Sequence, residues 1–345
     1  MARKQTKRNP AIRPLTKKRT AGKRILSTLR YIIPAALKAV FTQTEYCRWL
    51  RKKGLSVMGR DRKSRKPCAL NKTIASYEQA IHAAACKNAL IDPFTGETLR
   101  WDLVGKYDPK KAAKDGSYFR LFYLLPSVDH VDPQSDILDF EICSWLVNLC
   151  KGDMTPTEFI ALCNKIVSHL QDATAPCRTG NAFPEAPALY FLPPFLEGIL
   201  TLEQYRRWLE EKAHHLFVKD QKGNRPCVLG RTCADYKMAI HKAIWANGLL
   251  DPYTGDVMDW KSIGASKSGE ALGQEDNMMP TVDHIDPYAT ELAFEICSHI
   301  VNDCKNNLNS DEFVGLCKKV VAFRGGADLT PPLTRPSPTR RGVKR

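Results

Sequence analysis

Two short constellations carry the residue types of phosphodiester chemistry. Asp129 and His130 are adjacent, Asn148 follows eighteen residues after the histidine, and Lys151 three after the asparagine. The set returns with the same intervals as Asp283, His284, Asn302 and Lys305. Hydrolysing a phosphodiester bond calls for a base that activates water and a divalent cation that neutralises charge developing on phosphate. A hard ion such as Mg²⁺ prefers oxygen ligands. An Asp carboxylate and an Asn amide oxygen supply two of them and leave positions for water and phosphate. The neighbouring imidazole is then a candidate general base. Adjacent residues on a strand point to opposite sides, so a pocket shared by Asp129 and His130 requires local twisting at a strand end.

These residues sit inside an internal duplication. YCRWLRKKG at 46–54 returns as YRRWLEEKA at 205–213, an offset of 159. At the same offset, KPCAL (67–71) matches RPCVL (226–230), YEQAIHAA (77–84) matches YKMAIHKA (236–243), and LIDPFTGE (90–97) matches LLDPYTGD (249–256). Beyond a five-residue gap the offset becomes 154, pairing PSVDHVDP (126–133) with PTVDHIDP (280–287) and FEICSWLVNLCK (140–151) with FEICSHIVNDCK (294–305). The spacing of Tyr46, Leu50, Leu55, Tyr77, Ala80, Ile81 and Ala84 predicts a helical first third in each copy. Asp-Pro-Phe-Thr-Gly is a turn signal. An extended stretch is expected to end in Phe122–Leu125, just before the Asp-His motif. A second β-like run follows at Phe140–Cys143, then a helix holding Leu146, Val147 and Cys150. A closing helix opens at Thr155, with Glu158 at the capping-box position.

Composition sets the outer limits. The 345 residues carry a formal net charge of +15, but that charge is concentrated at the ends. Residues 1–30 hold eleven Lys/Arg and no acid, residues 331–345 hold five and no acid, and the body between is near neutral. Such tails are expected to be disordered and to bind polyanions by counterion release. The expected organisation is a basic tail (1–30), a first module (41–171), a linker (172–199), a second module (200–324) and a basic Pro-rich tail (325–345). The 12 cysteines form no Cys-x-x-Cys and read as reduced thiols. The apolar run Tyr31–Phe41 is too short for a membrane span. A cytoplasmic protein is expected, nucleoid-associated in a bacterium, or housed in an organelle or the nucleus of a eukaryote. The oligomeric state is open.

Val-Asp-His-Val-Asp-Pro followed by Ser-Trp-x-x-Asn-x-x-Lys resembles the HNH (ββα-metal) endonucleases. The resemblance implies an α+β fold of two tandem HNH-like ββα-metal modules, each behind a helical N-terminal layer. It implies a divalent metal ion, Mg²⁺ first and Mn²⁺ or Zn²⁺ as alternatives, held by Asp129 and Asn148 and by Asp283 and Asn302. His130 and His284 would be general bases, Lys151 and Lys305 would seat phosphate, and the substrate would be DNA rather than RNA. The family's middle Asn should fall near Asp139 or Ala293, and neither is Asn. The segment before the second motif is acidic (Glu270, Glu275, Asp276) where the first is basic (Lys106, Lys110, Lys111, Lys114), which favours the first copy as the active one. The alternative is a nucleic-acid-binding protein that keeps the HNH scaffold without catalysis. His82 and His241 are expected to be structural. The recurring pairs Cys68/Cys227, Cys143/Cys297, Cys150/Cys304 and Cys163/Cys317 are expected to pack as small hydrophobes, and Trp49/Trp208 and Trp101/Trp260 to be core aromatics.

Overall fold

The computed structural model describes residues 30–115, 117–172, 190–265 and 277–325. Residues 1–29 and 326–345, which make up nearly all of the two basic tails, lie outside the described residues. So do most of the 172–199 linker and the acidic trio Glu270, Glu275 and Asp276.

Helix starts follow the side chains that can cap them. Helices α1 (Gln43–Lys63), α2 (Ile74–Lys87) and α5 (Pro156–Gln171) each begin behind a threonine: Thr42, Thr73 and Thr155. Each threonine hydroxyl accepts from the third helical N–H, whose own side chain accepts from the cap backbone. Between them lie α3 (Pro109–Lys114), strands β1 (Pro126–His130) and β2 (Phe140–Ser144), and α4 (Trp145–Lys151). The second copy repeats the order with α6 (Leu202–Lys222), α7 (Cys233–Asn247), the short α8 (Ser262–Ala265), β3 (Pro280–His284), β4 (Phe294–Ser298), α9 (His299–Lys305) and α10 (Ser310–Arg324).

The fold is mixed α+β, with one two-stranded antiparallel hairpin per copy among the described residues. Asp129 stands opposite Glu141 and His130 opposite Phe140; Asp283 and His284 repeat this opposite Glu295 and Phe294. One expected element moves. Phe122 ends a 3₁₀ turn (Tyr118–Phe122), and the first strand instead spans Pro126–His130 and contains the Asp-His pair. Burial of aromatic side chains at Phe122 and around Trp145 overrides the β-propensity of that stretch.

Each copy buries a core of its own and shares another. Tyr46, Trp49, Tyr77, Ile81 and Trp101 pack on the inner hairpin face at Val128, Phe140 and Ile142. Tyr205, Trp208, Tyr236, Ile240 and Trp260 do the same at Val282, Phe294 and Ile296. The third core is common to both copies: Cys143, Val147, Cys150, Phe159, Cys163 and Ile166 pack with Cys297, Val301, Cys304, Phe313, Cys317 and Val320. Three of the four recurring cysteine pairs therefore pack as expected, as free thiols. The two copies are not separate modules on a string, because α5 and α10 lie against each other.

The contacts across this seam are reciprocal. Lys165 on α5 pairs with Asp256 in the second copy's turn, and Lys319 on α10 pairs with Glu97 in the first copy's turn at 2.6 Å. These four residues are equivalent in the repeat, so the duplicated halves meet as a two-fold dimer would. Among the described residues no helix is long and apolar enough to cross a membrane.

Each turn is closed by glycine: Gly96 has φ +72° and Gly255 φ +73°. A Cβ on Gly96 would meet the Phe323 ring at 2.5 Å, and one on Gly255 the His169 ring at 2.6 Å, both across the seam. Gly96→Ala and Gly255→Ala should each lower stability by about 1–2 kcal/mol, chiefly from the left-handed backbone. Chemical denaturation checks this; an unchanged midpoint for both would rule out the turn geometry.

Candidate functional site

Strand alternation decides where the motif residues go. Val128 and His130 face the helical layer, and Ser127 and Asp129 face α4. The hairpin is regular from end to end, so no twist turns Asp129 and His130 toward one pocket.

On the inner face, His130 Nε2 lies 3.1 Å from Oδ2 of Asp61 on α1. The Tyr77 hydroxyl donates to the same carboxylate oxygen at 2.9 Å. Cys68 Sγ stands 3.8 Å from His130 Nε2 and 3.9 Å from Asp61 Oδ2. Burial opposes ionisation of Asp61, yet hydrogen bonding and charge from His130, then Tyr77, hold its carboxyl below the usual range. Burial and the adjacent Asp61 push the Tyr77 hydroxyl well up.

The second copy repeats this cluster with one substitution. His284 Nε2 is 2.8 Å from Asp220 Oδ2, Tyr236 donates to Asp220 at 2.8 Å, and Cys227 Sγ lies 3.9 Å from His284 Nε2. Arg225, standing where the first copy has Lys66, places Nη1 at 2.8 Å from His284 Nδ1. A guanidinium only donates, so Nδ1 accepts and Nε2 carries the proton toward Asp220. Lys66 instead pairs with Asp153 at 2.9 Å, and His130 Nδ1 has no hydrogen bond among the described residues. Asp61, Cys68 and His130, and equally Asp220, Cys227 and His284, are two buried groups whose ligand atoms stand close enough to hold a metal ion.

The outer face is organised by a buried ammonium. Lys151 is fully buried, with Nζ 3.1 Å from Asp129 Oδ2 and donating to the His130 carbonyl at 3.1 Å and the Met154 carbonyl at 2.5 Å. Lys305, likewise buried, donates to Asp283 Oδ2 at 2.7 Å and the His284 carbonyl at 2.6 Å, with Glu295 at 3.5 Å. A lysine enclosed in this way does not reach an external phosphate, so the seating role expected of Lys151 and Lys305 has no support in this geometry. Asn148 Nδ2 donates to Ser127 Oγ at 2.8 Å and the Val128 carbonyl at 3.0 Å, tying α4 to the first strand. Asn302 borders a cavity of about 610 Å³ with Thr281, Arg207, Lys212, His215 and Lys219.

The Mg²⁺ implied by the HNH resemblance does not fit at Asp129 and Asn148. A buried ammonium already sits on the Asp129 carboxylate, and it would repel a dication there. The hairpin also closes without the family's middle Asn, through backbone bonds from Val131 to Asp139 at 3.1 Å and from Ile285 to Ala293 at 3.2 Å.

No family model, curated protein or solved structure matches the chain.

Several positions in the site lay outside the sequence reading. Asp61/Asp220 and Tyr77/Tyr236 recur at the 159-residue offset, which was the available signal. The sequence pattern marks Asp92 and Asp251 as turn residues alone. Each caps its turn through Oδ1 and accepts through Oδ2 from the N–H of Ser144 or Ser298 at 2.6 Å, fixing the start of α4 or α9. Cys68 and Cys227, expected to be mere packing, touch the Asp-His pairs.

Glu141 faces Asp129 across the ladder. Burial, then the Asp129 charge, pushes its carboxyl up to about 7. A carboxyl raised from its ordinary value of 4.5 gives stability that is complete below about pH 4.5 and lost as pH rises through about 7. Glu141→Gln should remove this dependence, gaining on the order of 2 kcal/mol over wild type at pH 8 and nothing at pH 4.5. Thermal unfolding across that range checks it, and parallel pH curves for the two proteins would contradict it.

Proposed function

We propose that this chain binds nucleic acid along the cationic flanks of α1 and α6, on an HNH-like scaffold whose motif residues hold the fold together. One observation carries this reading: the cavity beside Asn302 is walled by Arg207, Lys212, His215 and Lys219 against a single acid, Glu211. The first copy has Arg48, Lys53 and Arg60 at the positions equivalent to Arg207, Lys212 and Lys219. Burial, then the Arg60 and Lys52 charges, pulls the Lys53 ammonium down to about 8. A phosphate placed beside it would relieve that repulsion. The groups expected to do chemistry are meanwhile engaged internally, Asp129 with Lys151 and His130 with Asp61. The cationic tails would add contacts that follow charge rather than sequence. Duplex DNA is the partner favoured over RNA.

A second reading, the DNA endonuclease, is favoured by the Asp61–His130 pair. A carboxylate that holds Nε2 leaves Nδ1 as the basic nitrogen, a standard way to orient a general base. Only His130 qualifies, because Arg225 occupies Nδ1 of His284.

One experiment separates the two. The full chain is titrated with duplex DNA over a salt series and assayed on supercoiled plasmid with Mg²⁺ or Mn²⁺. Binding without cleavage is expected. The triple variant Arg207→Ala, Lys212→Ala, Lys219→Ala should reduce the slope of log affinity against log salt by about 2–3. An unchanged slope would overturn the cavity beside Asn302 as the binding site. Cleavage lost in His130→Ala and kept in His284→Ala would replace the binding reading with the endonuclease.

A further inference from the structure

Ligand spacing in the first Asp-Cys-His group matches a small tetrahedral ion. Zinc bound at about 2.3 Å to sulfur and about 2.0–2.2 Å to nitrogen and oxygen sets ligand-to-ligand edges of about 3.3–3.6 Å. The edges here are 3.1 Å from His130 Nε2 to Asp61 Oδ2, 3.8 Å from Cys68 Sγ to His130 Nε2 and 3.9 Å from Cys68 Sγ to Asp61 Oδ2. Shifts of a few tenths of an ångström close this triangle around an ion. A thiolate, an imidazole and one carboxylate form the mixed donor set of a borderline-soft ion and a poor set for Mg²⁺. Tyr77 donates to Asp61 and would orient the carboxylate as an outer partner. The three ligands come from α1, the turn after it and the end of β1, so an ion here would tie the helical layer to the hairpin.

The second copy keeps every ligand but differs at one neighbour. For Nε2 of a neutral His284 to bind an ion, its proton must move to Nδ1. Nδ1 already faces a donor, Arg225 Nη1 at 2.8 Å. The Arg225 Nε also stands 3.4 Å from Asp220 Oδ1. The guanidinium thus supplies the positive charge on this cluster and blocks the tautomer that a metal needs. In the first copy Lys66 turns to Asp153, and Nδ1 of His130 is free to carry the proton.

We propose that the chain holds one zinc ion, bound by Asp61, Cys68 and His130 in the first copy, and that Arg225 takes its place in the second. Binding moves the His130 proton from Nε2 to Nδ1 and releases the Cys68 thiol proton to solvent. The inference goes beyond nucleic-acid binding, and its readout is independent of that reading.

The test is metal content of the full chain by plasma mass spectrometry, after equilibration with zinc and removal of unbound ion. About one zinc per chain is expected, lost in Cys68→Ser and retained in Cys227→Ser. Arg225→Lys should raise the content toward two. Substitution with cobalt should give the visible absorption of a tetrahedral thiolate site in wild type and Cys227→Ser alike. It therefore reports on the folded protein even if Cys68→Ser fails to fold. No bound zinc, or content unchanged in a folded Cys68→Ser, would overturn the site. Two ions in wild type, with one lost in Cys227→Ser, would overturn the role given to Arg225.

Discussion

A lysine ammonium with no exposure to water cannot be left unpaired, and this constraint governs the hairpin and the helix behind it. Taking Lys151 out of solvent costs several kcal/mol unless charge and hydrogen bonds replace the lost hydration. Asp129 provides the charge, and the carbonyls of His130 and Met154 provide the bonds. Meeting that demand clamps α4 against the end of β1. Because β1 alternates, turning Asp129 toward Lys151 necessarily turns His130 the other way, into the helical layer. Asp61, Tyr77 and Cys68 then gather around the imidazole because a buried ring nitrogen needs partners of its own. The two polar clusters are the two sides of one strand, separated by its backbone.

Duplication has let the halves diverge while preserving this logic. Lys151 and Lys305 occupy equivalent buried positions with equivalent partners, and the seam between copies is held by equivalent ion pairs exchanged across it. At the rim of the inner cluster the two copies differ at one charged neighbour, Lys66 in the first and Arg225 in the second. Lys66 and Arg225 are both cations, but the planar, multi-donor guanidinium reaches His284 and Asn307 together, whereas the lysine pairs with Asp153. One substitution at the rim of a cluster thus alters which ring nitrogen is available without disturbing the fold.

Much of the architecture was legible from sequence because it depends on local chemistry. The capping box at Thr155–Glu158 gave its helix start, the Asp-Pro-x-Thr-Gly repeats gave two turns, and the 3.6-residue spacing gave the helical layer. Repetition singled out Asp129, His130, Asn148 and Lys151, but the strand divides them between two clusters, Asp129 with Lys151 on one face and His130 with Asp61 on the other. Their grouping in space was harder to read, since it depends on strand phase and on distant partners. Nothing near His130 in sequence announces Asp61, which lies 69 residues away. Nor does the pattern Asn-x-x-Lys reveal whether its lysine points outward to phosphate or inward to Asp129. The shared core was equally hidden, because apolar faces on α5 and α10 fit either two separate domains or a single seam.

The most direct measurement is a double-mutant cycle on the buried pair, using Lys151→Met, Asp129→Asn and their combination, with stability from chemical denaturation and DNA affinity measured in parallel. A clamping lysine predicts a loss of about 3–5 kcal/mol for Lys151→Met, from the carboxylate left without its partner. Much of that loss should be recovered when Asp129→Asn is added. A Lys151→Met protein as stable as wild type but weakened only in DNA binding would contradict this, and would return the lysine to the phosphate.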